Sequence, residues 1–123
     1  MTINQVHDRL ANVALIYFAA LAVWGTWRFL RKQGISPAFW GATVIAELIL
    51  ALQGVLGITL WLNGVPPAPI HIMYGAVGLM ALPAVYMYTK RRTDRPEMLM
   101  YAVVALITVG LIIRAMSTAL PGG

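Results

Sequence analysis

PPAPIHIMYGAVG, residues 66–78, joins a proline-rich turn to an apolar stretch that carries His71 in its opening turn and glycines at positions 75 and 78. The turn begins at Asn63-Gly64-Val65-Pro66-Pro67, and residues 63–69 carry no charge. Gly and Pro at this density mark a short, tight connection. Apolar runs lie on both sides of it. A connection this short makes its two flanking elements antiparallel neighbours, so the stretch reads as the tip of a helical hairpin.

Four such runs are long enough to cross a bilayer: roughly Leu10–Trp27, Ala38–Leu62, Ala68–Tyr88 and Met98–Leu120. A span needs about 20 predominantly apolar residues. Hydrophobic residues make up 60% of the 123, and charged residues only 11%, against about 25% in a typical soluble domain. The first run is not expected to be a cleavable signal, because Asp8 precedes it and its basic cluster follows it. Ser36-Pro37 reads as a helix cap with proline at the first helical position. Asp94-Arg95-Pro96-Glu97 reads as a capping box. Pro83 falls inside the third run, where a kink is expected. The pattern predicts an all-α, integral-membrane, up-down-up-down bundle of four helices, about 5–32, 37–63, 68–89 and 96–119, in one transmembrane domain over 1–123.

The net charge of +5 is not a nucleic-acid signal, since the basic residues flank apolar runs. Seven of the nine lie in two loops: Arg28, Arg31 and Lys32, then Lys90, Arg91, Arg92 and Arg95. The positive-inside rule places these loops in the cytoplasm and both termini outside. The expected location is a bacterial cytoplasmic membrane, with the lipid bilayer as partner. The chain has no cysteine, which excludes disulfides, thiolate metal sites and covalently attached c-type haem.

Depth follows from counting along the helices. His7 precedes Arg28 by 21 residues and His71 precedes Lys90 by 19, or about 31 and about 28 Å at the rise of an α-helix. The two histidines therefore share a level near the outer surface, on parallel helices. Arg114, 19 residues after Arg95, reaches the same level on the fourth. Two histidines facing each other across a bundle are what a bis-imidazole haem b requires. At offsets of four and seven from His71 stand Gly75 and Gly78; from His7, Ala11 and Ala14. Helix 2 adds Gly54 and Gly57. Small residues suit the close approach of a planar cofactor, or equally of another helix. Arg9 and Arg114 are candidates for haem propionates, or for lipid phosphates reached by snorkelling. An interfacial histidine is also, on its own, an ordinary amphipathic residue. Gln53 is a candidate for a cofactor edge or a neighbouring helix. Glu47 lies near mid-membrane, where a carboxylate is a functional hypothesis by default.

Three segments carry a resemblance: VHDRLANVALIYF (6–18), LQGVLGITLWLNGVPP (52–67) and IHIMYGAVGLMAL (70–82). Together, in order and spacing, they resemble the heme A synthase family, in which each four-helix half has a His-bearing helix, a Leu-Gln-x-x-Leu-Gly helix and a second His-bearing helix. The matching positions here are His7 with Arg9, Leu52-Gln53 with Leu56-Gly57, and His71. The family has two such halves and this chain has material for one. No acid lies within residues 1–6, and the outer-loop cysteines of the catalytic half have no counterpart. The resemblance thus implies the haem b-binding half, with His7 and His71 as axial ligands, and not the haem-oxidising activity.

The function expected is a small b-type cytochrome that carries electrons alone or within a larger complex. The competing reading is a haem-free accessory subunit of a respiratory or photosynthetic complex. A homo-oligomer or larger membrane assembly is expected, and a quinone is a possible partner. Bis-histidine coordination leaves no open iron position, so the chain is not expected to be an enzyme by itself.

Overall fold

The computed structural model describes residues 2–90 and 92–117. It is all-helical: α1 (Ile3–Leu30), α2 (Pro37–Leu62), α3 (Pro69–Thr89) and α4 (Arg95–Ser117). All four are long and apolar enough to cross a membrane. The helices run antiparallel in sequence order, and side-chain hydrogen bonds tie neighbours together. Tyr17 of α1 donates to the Ala42 carbonyl of α2 at 2.7 Å, and Arg95 at the start of α4 donates to the Phe29 carbonyl at the end of α1 at 2.9 Å. Helix α4 packs on both α1 and α3 and closes the ring, whereas α2 and α3 touch least.

Local signals account for the boundaries. Ser36 caps α2, its hydroxyl accepting from Phe39 N–H at 3.1 Å with Pro37 at the first helical position. Helix α1 starts earlier than the expected residue 5. The Thr2 hydroxyl accepts from Gln5 N–H at 3.2 Å, and Thr2 N–H donates to the Gln5 carboxamide oxygen at 3.0 Å. This reciprocal pair satisfies two otherwise orphaned donors and places His7 inside a capped helix. Helix α1 ends at Leu30, not 32, and α3 runs through Pro83 without interruption. The expected capping box at the start of α4 is not what forms. Glu97 turns its carboxylate to Arg92, 3.7 Å away, because an arginine five residues earlier competes for the same anion. The expected end of α4 at 119 falls outside the described residues.

Lipid tails are as apolar as leucine, so packing and hydrogen bonds hold such a bundle together. Phe18, Phe39 and Met98 are fully buried between the helices, Phe39 and Met98 near the basic end. Gly25 lets α1 and α4 approach closely: a Cβ there would stand 3.0 Å from the Ala102 methyl group and 3.2 Å from the end of Met98. Buried Thr43 and Thr108 return their hydroxyls to the carbonyls of Phe39 and Val104, four residues back, so neither costs an unsatisfied polar group.

The basic end of the bundle is pinned across its loops. Arg28 donates twice to the Gly34 carbonyl, at 2.9 and 2.6 Å, and Ile35 N–H donates to the Thr93 carbonyl at 2.8 Å. Arg95 also lies over the Phe29 ring, 4.1 Å from its centroid. These arginines act as structural clamps as well as charge.

Candidate functional site

His7, in the second turn of α1, and His71, in the first turn of α3, meet at the end of the bundle opposite the basic loops. Their ring centroids are 6.4 Å apart and their planes inclined by 75°. No other histidine exists in the chain. The two helices occupy opposite corners of the ring, so the imidazoles face each other across its interior.

Each ring is held differently. The Nδ1 of His71 pairs with the Ala115 carbonyl oxygen at 2.7 Å. A carbonyl can only accept, so His71 donates from Nδ1, and Nε2 is left as its lone-pair nitrogen. Ala115 falls in the last described turn of α4. For His7, Nδ1 is buried without a hydrogen-bond partner, and so is the Gln53 carboxamide oxygen. Gln53 sits beside the His7 ring, and one turn further along α2 a Cβ on Gly57 would stand 3.6 Å from the His7 Cε1 atom. Helix α2 thus offers His7 a polar group and a side-chain-free surface.

The remaining sequence candidates divide into two groups. Gly54, Gly75 and Gly78 border space, since a Cβ at any of them meets nothing within 4 Å. Ala11 is half-buried, and Ala14 is packed into the core at 1% exposure, so Ala14 serves helix packing. Arg9 is exposed at the start of α1. Arg114 is exposed on α4 with its guanidinium 6.0 Å from the Tyr74 ring centroid. Glu47 lies deeper in α2, half-buried, with Oε1 buried and unpartnered. Ala115 was invisible to sequence reading because its contribution is a backbone oxygen. The depth count that placed Arg114 beside His71 is the one signal that pointed to it.

The donor set can be tested against what it would hold. Among the described residues, no group of three or more His, Cys, Asp or Glu side chains converges. Two imidazoles do not complete a zinc site, which takes three or four protein ligands. Two imidazoles would suffice for a haem, whose iron is otherwise held by the porphyrin. A metal-bound imidazole nitrogen lies about 2.0 Å from the metal and about 1.1 Å from its ring centroid, so two rings sharing one metal would have centroids up to roughly 6.2 Å apart. The observed 6.4 Å lies close to this. Comparison with family models, curated proteins and solved structures finds no match for this chain.

Proposed function

We propose that the protein is a small b-type cytochrome in which His7 and His71 hold one haem b near the outer face of the membrane. The observation that carries this reading is the histidine pair at 6.4 Å, with His71 already oriented through its second nitrogen. Metal-ligating histidines characteristically donate their other ring N–H to a carbonyl or carboxylate, which fixes the tautomer and raises the basicity of the ligating nitrogen. Ala115 supplies that acceptor for His71. Gln53 is the matching candidate for His7, since its carboxamide oxygen and His7 Nδ1 are both buried without a hydrogen-bond partner and the two residues are neighbours. A bound haem would supply one-electron chemistry. The chain's own part would be to hold and orient two imidazoles for the group and to shield it from water. Arg9 and Arg114 are the cations at this end for the propionates. The resemblance to the haem b-binding half of heme A synthases supports the same pair of ligands.

The deciding measurement is the visible spectrum of the purified, dithionite-reduced protein. Low-spin bands support the cytochrome; absence of haem absorption leaves the accessory-subunit reading. The glycines give a second test. Gly75→Leu and Gly78→Leu should fold, because each new side chain starts in open space, yet each should lower haem occupancy several-fold by pyridine haemochrome assay. Gly41→Leu, also in open space but near the basic loops, should retain it. Full occupancy in both Gly75→Leu and Gly78→Leu would assign these glycines to helix contacts.

Orientation is part of the proposal: both basic loops face the cytoplasm. A reporter fused to the C-terminus should be active outside the cytoplasm. A reporter active only inside would place the histidines at the opposite surface.

A further inference from the structure

A second site lies at the other end of the bundle, about 25 Å from the histidines if the 17 residues from Trp40 to Gly57 are counted at the helical rise. It is a cleft of about 200 Å³ lined by Ile35, Trp40, Tyr86, Arg92, Thr93 and Tyr101. Its walls are aromatic. Trp40 stacks on Tyr86, with centroids 5.3 Å apart and planes inclined by 29°, and meets Tyr101 edge-on at 6.1 Å. Its mouth is cationic. The Arg92 guanidinium is held through Nε by the buried Glu97 carboxylate at 3.7 Å. No further ion pair or hydrogen bond uses its terminal nitrogens among the described residues. Guanidinium presents those nitrogens as a planar fork suited to phosphate or carboxylate. Arg28, Lys32, Lys90 and Arg95 add positive charge at the same end, which concentrates anions there.

The size and the wall chemistry narrow the ligand. Drug-sized molecules occupy sites of about 300–1,000 Å³, so this cleft suits a small headgroup. Its aromatic wall runs from α2 to α3, the pair of helices that touch least, and that seam descends between two apolar helices. A purely soluble anion has no use for such a wall; an amphiphile does. Basic recesses between membrane helices at the cytoplasmic surface are suited to anionic lipid headgroups. We propose that this cleft binds the phosphate of an anionic phospholipid, with Arg92 and Thr93 on the phosphate and Trp40 and Tyr86 against the first carbons of the acyl chain.

The test uses the full chain, delipidated in a neutral detergent and titrated with short-chain phosphatidylglycerol. Binding is read by native mass spectrometry and by tryptophan fluorescence. One lipid per chain should bind saturably, and phosphatidylcholine should bind about tenfold more weakly. Arg92→Gln should weaken phosphatidylglycerol by about tenfold. Arg31→Gln removes the same charge from a neighbouring loop, where Arg31 sits over Trp27, and should leave affinity unchanged. Trp40→Phe should remove the fluorescence change while the lipid stays visible by mass. Equal binding of the two lipids, or equal losses in Arg92→Gln and Arg31→Gln, would overturn the site in favour of general surface charge. Saturation of the signal by inorganic phosphate alone would overturn the lipid assignment and make the cleft a site for soluble phosphate.

Discussion

Replacing His71 with alanine is expected to abolish the low-spin spectrum of the reduced protein altogether. The iron would lose one of two strong-field ligands, and no third His, Cys, Asp or Glu among the described residues converges on the pair to replace it. His7→Ala should have the same effect, since the cap formed by Thr2 and Gln5 makes His7 part of an ordered helix. Two milder variants separate ligation from orientation. Gln53→Leu should keep the haem and shift its reduction potential, because the partner of a ligating imidazole tunes its basicity without touching the iron. Arg114→Ala should also retain haem. Loss of the spectrum in His71→Ala with an unchanged spectrum in His7→Ala would require a second ligand from another subunit.

The second large effect is expected at Gly34, far from the histidines. A Cβ on Gly34 would collide with the Thr93 carbonyl oxygen, which already accepts the Ile35 N–H. Backbone cannot swing aside as a side chain can, so Gly34→Val must push the two basic loops apart. The strain of overpacking costs about 1–3 kcal/mol, and each hydrogen bond lost adds about 1 kcal/mol. The melting temperature in detergent should fall by roughly 10 °C. Haem stoichiometry of the surviving folded fraction should stay at the wild-type level, because the damage lies at the other membrane surface. Phosphatidylglycerol binding should fall with it, since Ile35 and Thr93 line the cleft proposed for the lipid.

The spans are legible in the sequence because bilayer thickness imposes a length and water exclusion imposes a composition. Depth is legible for a related reason: the rise per residue is fixed, so counting from Arg28, Lys90 and Arg95 levels the histidines with Arg114, and the structure brings His71 to Ala115 beside it. Lateral order is not. Nothing in four apolar helices states that α2 and α3 form the loosest seam, because every face is apolar and lipid is an acceptable neighbour for all of them. Thr2 and Gln5 look like a polar tail until their side chains are seen to exchange hydrogen bonds. Arg28 and Arg95 look like topology signals until each is found on a backbone carbonyl of a loop or helix end. Glu97 shows the opposite error, a motif of the right spacing whose acid finds a nearer cation. For Thr2, Arg28 and Arg95 the deciding partner is a backbone atom, and composition carries no trace of it.

The contact between His71 and Ala115 also sets a timetable. His7 leaves the ribosome among the first residues and His71 follows near the middle of the chain, but the carbonyl that turns His71 belongs to the last turn of α4. A nascent chain of three helices therefore carries both imidazoles before the partner that orients His71 exists. The pair becomes a matched clamp when the final helix inserts and closes the ring against α1 and α3. On the proposed reading, haem capture would await insertion of α4, and chains truncated before Ala115 would lack the carbonyl that orients His71.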